Sequence, residues 1–421
     1  MMPKCSVPPL QFHTLNGLRQ LAETRRFKVW LLDQFGVLHD GKQPYPAAIS
    51  TLENIAKTGA KMVIISNSSR RSSTTIEKVK GLGFDASLFL GAVTSGELTH
   101  QYLQRRDDPW FAALGRSCIH FTWNGRGAIS LEGLDLQVVE NVEEAEFVLA
   151  HGTEALGKAD GSARSMKLED LEKILELCAF KGIPMVVANP DYVTVEARDL
   201  RVMPGEFALS FSPYINFSCA YFKRLGTLAA KYEKLGGEVK WMGKPDEIIY
   251  KSAMAMAGTD GSDCIAVGDS LHHDIKGANA AGIESVFITG GIHATELGLH
   301  SFGEVADSSA VQSLASKYEA YPSYVLSAFT WFLYVSLSAC SRMEIALADD
   351  GGVTTMKIEH RKASSVAIFG LGLRMEIALA NDGGVATMEI EHRKASSIAI
   401  LSLGGAIEKS WWFVVEDGGS T

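Results

Sequence analysis

Apolar runs of strand length recur along this chain, each followed by a stretch with helical spacing. Residues 28–33 (KVWLLD) predict a buried strand. Residues 46–58 carry Ile49, Leu52, Ile55 and Ala56 at helical spacing and stop before Gly59, which predicts a helix. Residues 61–66 (KMVIIS) predict a second strand and 72–82 a second helix. Strand, helix and strand at this spacing make a βαβ unit, with parallel strands joined by a right-handed crossover.

The pattern returns far downstream. Residues 238–243 (EVKWMG) predict a strand, 245–258 a helix opened by Pro245, 264–268 (CIAVG) a strand, 274–282 a short helix and 284–290 (ESVFITG) another strand. Between the halves lie further strands at 118–123 (CIHFTW), 146–152 (EFVLAHG) and 184–191 (PMVVANPD), and a helix near 168–181. The architecture predicted is α/β: one doubly wound, parallel-sheet core of Rossmann type built from two sequence-distant halves, with a second α/β domain inserted between them. The boundaries read as an N-terminal extension (1–26), a first core half (27–100), the insertion (101–226), a second core half (227–305) and a last core segment (306–331). Residues 206–226 are aromatic and lack a clear period, so they read as a further insertion without functional weight.

The tail, 332–421, is a duplication. Residues 342–368 recur as 374–400 at a period of 32, differing only at Asp349/Asn381, Thr354/Ala386, Lys357/Glu389 and Val366/Ile398. Repeat arrays need about three units to bury a continuous core, so two copies, and the Trp411–Trp412 pair beyond them, are expected to carry no catalytic part.

Composition narrows the class. At 421 residues with 46% hydrophobic content the chain can fill two or three cores. No apolar run reaches the roughly 18–20 residues of a membrane helix, so no membrane role is expected. A net charge of −9 disfavours nucleic acid as a partner. The six cysteines lack a C-x-x-C pair, which suits a reducing compartment, the cytoplasm, and argues against a zinc site. Lys4, Arg19, Arg25 and Arg26 with a lone Glu23 leave organelle targeting open. A homodimer is also left open.

Four polar positions fall at or just past the carboxyl ends of predicted core strands: Asp33, Ser66, Lys244 and Asp269. In open α/β sheets ligands bind outside those ends. Singly each is an ordinary turn or cap residue; in this order they make a phosphoryl-transfer site. Asp33 supplies a carboxylate nucleophile. Ser66 and the backbone of the turn opened by Asn67 can hold phosphoryl oxygens. Lys244 neutralises charge, and Asp269 with Asp274, spaced G-D-S-L-H-H-D, can hold Mg²⁺ through hard oxygen ligands. Positioning and charge neutralisation are most of what this reaction needs.

D-x-F-G-V, I-S-N-S-S, G-K-P and G-D-x-x-x-x-D, with an insertion between the second and third, resemble the haloacid dehalogenase-like hydrolases over residues 27–305, and within them the class IIA branch of NagD-like and 4-nitrophenylphosphatase-like proteins. The resemblance implies a Mg²⁺-dependent phosphatase acting on a small phosphorylated metabolite. It implies that Asp33 forms an aspartyl intermediate, that the main-chain carbonyl of Phe35 joins Asp33, Asp269 and Asp274 around the metal, and that the insertion is a cap selecting substrate. N-P-D (189–191) resembles a cap motif of that branch, which makes Asn189 and Asp191, with Asn67, candidate substrate contacts.

Phe35 departs from the pattern. The family's phosphatases place an aspartate there, which protonates the leaving group and activates water. An aromatic residue is what haloacid dehalogenases carry there, since a departing halide needs no proton. Two rivals therefore stand beside the phosphatase: a carbon–halogen hydrolase, and a protein that binds a phosphorylated ligand without turnover. His39 is a candidate replacement acid. His272 and His273, inside the metal turn, read as ordinary loop histidines.

Overall fold

The strands predicted at 28–33, 61–66 and 264–268 form because they are buried on both faces, and alternate side chains serve opposite layers. The computed structural model describes residues 12–124, 129–190 and 225–332, together with strand segments between 348 and 415. Strand β1 (His13–Thr14) and helix α1 (Arg19–Ala22) lead into β2 (Val29–Leu32), α2 (Ala48–Lys57), β3 (Lys61–Ser66), α3 (Ser72–Gly81), β4 (Phe89–Thr94) and α4 (Ser95–Arg105). The insertion runs through α5 (Pro109–Ala112), β5 (Ser117–Thr122), β6 (Gln137–Val138), β7 (Phe147–Ala150), β8 (Ala155–Gly157), β9 (Ala163–Ser165), α6 (Leu168–Phe180), β10 (Met185–Val187), α7 (Leu225–Lys234) and β11 (Val239–Trp241). The core resumes with α8 (Glu247–Ala257), β12 (Cys264–Gly268), α9 (Lys276–Ala280), β13 (Glu284–Ile288), α10 (Ser308–Tyr318) and β14 (Tyr324–Leu326).

The core sheet has the order β1-β14-β13-β12-β2-β3-β4, and every pairing in it is parallel. Trp30, Leu32, Met62, Ile64, Ile265 and Val267 point into one apolar layer. Their neighbours Val29, Leu31, Val63, Ile65, Cys264 and Ala266 point into the other. That alternation within continuous apolar runs is the mark of a parallel sheet covered on both sides. The inserted sheet, ordered β11-β10-β7-β5-β8-β9, is parallel from β11 to β5 and antiparallel at β8 and β9, and its central strand β7 also faces two layers. Phe147 and Leu149 join the second core layer, while Val148 and Ala150 pack with Leu171 and Leu175 of α6 and Leu228 of α7.

Three sequence expectations are corrected. The strand at 239–241 is not a core strand: it pairs in parallel with β10 at the edge of the inserted sheet, and α7 packs there too. The insertion therefore runs past 226 to Trp241, and the core's second half starts with α8. The N-terminal segment from residue 12 is not a loose extension, since β1 pairs with β14 and Leu18 is fully buried in the core. Strand β4, whose register against β3 shifts by one residue at Leu90, completes the sheet edge beyond the two predicted strands. Residues 206–226 lie outside the described residues, apart from the first turn of α7.

The duplicated tail forms a sheet of its own. Strands β15 (Ala348–Asp349), β16 (Thr354–His360), β17 (Met375–Asn381), β18 (Gly384–Glu391), β19 (Ser397–Ser402) and β20 (Ser410–Val415) pair in sequence order. Before it, Trp331 accepts the Arg19 N–H on its carbonyl at 3.2 Å, and the Phe332 ring lies 5.4 Å from the Arg19 guanidinium. A chain ended after Phe332 should keep its catalytic rate and melt within a few degrees of the full chain. Calorimetry beside a rate assay checks this, and a large loss in either means that the tail sheet supports the core.

Candidate active site

The order of the core sheet places its crevice. From β2 the chain crosses to β3 on one side, and from β12 to β13 on the other, so the connections diverge between β2 and β12. That is where open α/β sheets bind ligands. Asp33 follows β2 directly and donates its N–H to Val267 of β12 at 2.9 Å. Asp269 follows β12, and Ser66 ends β3. Lys244 arrives differently from the sequence expectation, from the link between β11 of the insertion and α8 of the core.

These side chains converge, and nearly all are buried. Lys244 Nζ lies 2.6 Å from Asp33 Oδ1 and 2.7 Å from Asp274 Oδ1. Oxygens of Asp33, Asp269 and Asp274 lie within 4.8 Å of one another. Two of these three neighbouring carboxylates, Asp33 and Asp274, thus share the Lys244 ammonium. Burial pushes Asp33 up to about 7, against the pull of Lys244 and with the help of the Asp274 charge. Burial, then the Asp33 and Asp274 charges, hold Asp269 well above the usual carboxylate range. Burial alone would neutralise Lys244, but Asp274 and Asp33 overcome it and keep the ammonium charged. The excess negative charge is the condition a hard divalent cation relieves, and an all-oxygen donor set suits one. Asp33, Asp269 and Asp274 fit such an ion.

Positioning groups surround this centre. Asn67 brackets the backbone of Lys244, accepting its N–H on Oδ1 at 2.8 Å and donating from Nδ2 to its carbonyl at 3.0 Å. Its amide thus fixes the lysine, a role the sequence does not reveal. Ser66 Oγ accepts from Gln34 Nε2 at 2.7 Å and from the Ser68 N–H at 3.2 Å. Asp274 accepts the Ser270 N–H at 3.0 Å, and Tyr250 Oη donates to its carbonyl at 2.8 Å. Gln34, Ser270 and Tyr250 were missed in the sequence reading. Gln34 carried a signal, a polar residue directly after the nucleophile position of an apolar strand. Gly36 takes a φ of +77°, and a Cβ there would stand 1.8 Å from Asp269 Oδ2. The glycine of D-x-F-G is therefore needed both for its backbone and for the room it leaves Asp269.

Phe35 turns its ring to the protein surface, 40% exposed. It meets His39 edge-on at 4.8 Å between ring centroids, and the Lys78 ammonium lies 4.4 Å from the ring centre. His39 is fully buried, and its Nδ1 accepts the Gly41 N–H at 3.0 Å. Burial, then the Lys78 charge, lowers it to about 4. A neutral, enclosed imidazole is not a proton donor at neutral pH, so His39 does not replace the missing acid. Burial lowers His272 as well, to about 4, and His273 further still; both are neutral packing residues.

Among the described residues, the insertion meets this crevice at Trp123 and at Pro190. Trp123, just past β5, donates its indole N–H to Ser69 Oγ at 3.1 Å, in the turn that begins with Ser66. Pro190 packs against Gly243, where a Cβ would stand 3.0 Å from Pro190 Cγ. Asn189, beside it, is buried; Asp191 lies outside the described residues. Among the described residues no helix is long and apolar enough to cross a membrane.

Comparison with known proteins follows the two halves of the core. Residues 30–127 match the family described as haloacid dehalogenase-like hydrolase, and residues 241–315 match a HAD-hydrolase-like family. The 5'-nucleotidase YutF of Bacillus subtilis is 22% identical over 273 residues, 65% of this chain and 91% of that protein. An acid sugar phosphatase of Staphylococcus aureus is 22% identical over 274 residues, covering 65% and 90%. The crystal structure of a haloacid dehalogenase-like hydrolase from Brucella suis superposes with a TM-score of 0.54 at 23% identity, over 75% of this chain and all of that one.

Proposed function

We propose that this chain is a haloacid dehalogenase-like hydrolase, as the family matches over residues 30–127 and 241–315 support, and that it is a Mg²⁺-dependent phosphatase acting on a small phosphorylated metabolite. The observation that carries the reading is the buried set of three carboxylates around Lys244 at the divergence of the core sheet. A carbon–halogen hydrolase has no need of magnesium, so a carboxylate set that fits a divalent ion favours the phosphatase reading.

In the proposed cycle an Asp33 oxygen attacks phosphorus in line with the leaving oxygen. The P–O bond to the leaving group breaks and an aspartyl phosphate forms. Water then attacks that phosphorus, releasing inorganic phosphate and restoring Asp33. Lys244 offsets the charge of nucleophile and phosphoryl group together. Ser66 and the backbone of the turn after it cradle the phosphoryl oxygens, while Gln34 orients the Ser66 hydroxyl. Asp33, Asp269 and Asp274, with the Phe35 main-chain carbonyl, would hold a divalent ion, which would supply the remaining positive charge that lets two anions meet. Asn189 and the cap residues around it would contact the rest of the substrate, and Asn67 would act through Lys244. The relatives named as a 5'-nucleotidase and an acid sugar phosphatase make nucleotides and sugar phosphates the first compounds to try. A cytoplasmic setting suits the buried thiols of Cys118, Cys178 and Cys264.

The test is a screen of phosphate esters on the full chain with Mg²⁺ and with a chelator. Turnover of at least one ester that disappears with the chelator is expected. Metal-independent turnover would sink the reading. A second reading, binding without turnover, is favoured by one observation: neither Phe35 nor the neutral His39 can give the leaving group a proton. It gains if beryllofluoride binds at Asp33 while no ester is cleaved.

A further inference from the structure

The sequence left the turn after β13 without a role, yet it grips the metal loop at three points. A Cβ on Gly291 would stand 2.1 Å from Asp269 Oδ2, so the backbone there lies directly against that carboxylate. The Ile292 N–H donates to the same oxygen at 2.7 Å. His293 Nε2 lies 3.2 Å from the Leu271 nitrogen and accepts its N–H. Leu271 opens the wide, π-helical turn Leu271–Ile275, which follows Asp269 and carries Asp274. Such a turn leaves its first N–H groups without partners of its own.

An accepting Nε2 is unprotonated, so the ring proton sits on Nδ1. Nδ1 lies 2.9 Å from Glu296 Oε1, which accepts it. Glu296 is itself held by Lys317 Nζ at 2.7 Å and Tyr318 Oη at 3.1 Å, both on α10. Burial would raise the Glu296 carboxyl, but its hydrogen bonds to Lys317, His293 and Tyr318 bring it down to about 2. A line of hydrogen bonds therefore runs from α10 through Glu296 and His293 to the backbone of the loop that presents two carboxylates. A His ring whose tautomer is fixed by a carboxylate behind it is a familiar means of orienting a metal site.

We propose that His293, oriented by Glu296, is a positioning residue that fixes the loop between Asp269 and Asp274 for the cation. This rests on reading those two carboxylates as metal-holding groups. A residue that merely fills the core, against Phe287 and Tyr318, would be replaced best by an apolar side chain of similar size. A positioning residue is replaced best by one that keeps an acceptor.

The test compares His293→Leu, His293→Gln and Glu296→Ala in the full chain, with Mn²⁺ binding followed by electron paramagnetic resonance and no substrate present. His293→Leu should weaken Mn²⁺ about 10-fold or more, His293→Gln should stay within about 3-fold of wild type, and Glu296→Ala should fall between. Nitrogen-15 NMR of the wild-type imidazole should find the proton on Nδ1. Glu296 is exposed, so its replacement should fold even where a core change does not. Wild-type affinity in His293→Leu or in Glu296→Ala, equal loss in the Gln and Leu variants, or a proton on Nε2 would each overturn the proposal. None of these readouts needs a substrate, so failure of the phosphatase reading in the ester screen is seen separately. A wild-type chain that binds no Mn²⁺ overturns both.

Discussion

Asp33→Asn should cost roughly 10⁴-fold or more in kcat, the scale on which an essential nucleophile is lost. The amide keeps the shape of the carboxylate but cannot attack phosphorus. The same change should leave the fold intact, and here the geometry gives a sharper expectation. Asp33 is one of three buried carboxylates around one ammonium, and Lys244 keeps Asp274 at 2.7 Å when Asp33 is neutralised. With metal removed, Asp33→Asn should therefore melt at or above the wild-type temperature. The pH dependence follows in sign. The folded-state value of Asp33 lies at about 7, above its ordinary 3.8. Its contribution is thus fully present below pH 3.8 and lost as pH rises through 7. Chelated wild-type protein should lose stability across that window more steeply than Asp33→Asn, and Mg²⁺ should restore it. Thermal melts at several pH values, beside a rate assay, decide the matter. Residual turnover above a few per cent would remove Asp33 from the nucleophile's role, and a sharp fall in melting temperature would mean that Asp33 stabilises the fold.

What the chain disclosed in advance, and what it withheld, divides along physical lines. The strands at 61–66 and 264–268 were legible to their ends because a parallel strand buried on both faces is a continuous apolar run, and no other short element needs one. The strand at 239–241 was legible as a strand but not as part of the inserted sheet. Apolar pattern records burial, not partner, and β11 owes its place to pairing with β10. The two-residue β1 is too short to carry a period. The chemistry divides in the same way. Asp33, Ser66, Lys244, Asp269 and Asp274 stood out because strand ends and the G-D-x-x-x-x-D spacing locate them within a few residues. The brace from Asn67 to the Lys244 backbone joins residues 177 apart, and the Gly36 and Gly291 contacts to Asp269 depend on how three turns stack. No local window contains those facts. His39 is the instructive case: its nearness to Asp33 in sequence suggested an acid, and full burial makes it a neutral one.

With His39 excluded as proton donor, the site should show a steep preference for leaving groups that carry negative charge well. The leaving oxygen must depart as an anion or take its proton from water, so the barrier follows its basicity. General acid help is worth typically about 10²–10⁴-fold, and that is the span expected between kcat/KM for 4-nitrophenyl phosphate and for a sugar phosphate. Phe35→Asp supplies the missing carboxyl and should narrow the gap, speeding the sugar phosphate most. The ring it removes is 40% exposed, so water rather than a void takes its place and the fold should tolerate the change. Lys78 will oppose part of the gain. Its ammonium lies 4.4 Å from the centre of the ring being replaced, close enough to pair with the new carboxylate, hold it ionised and draw it toward α3. Phe35→Asp combined with Lys78→Met should therefore outperform Phe35→Asp alone on the sugar phosphate, and the two should differ little on the aryl ester. A wild-type chain that cleaves both esters equally well would mean that a group other than Phe35 or His39 already delivers the proton. If neither ester is cleaved by wild type or by either variant, while beryllofluoride still binds at Asp33, the chain binds phosphorylated ligands and does not hydrolyse them.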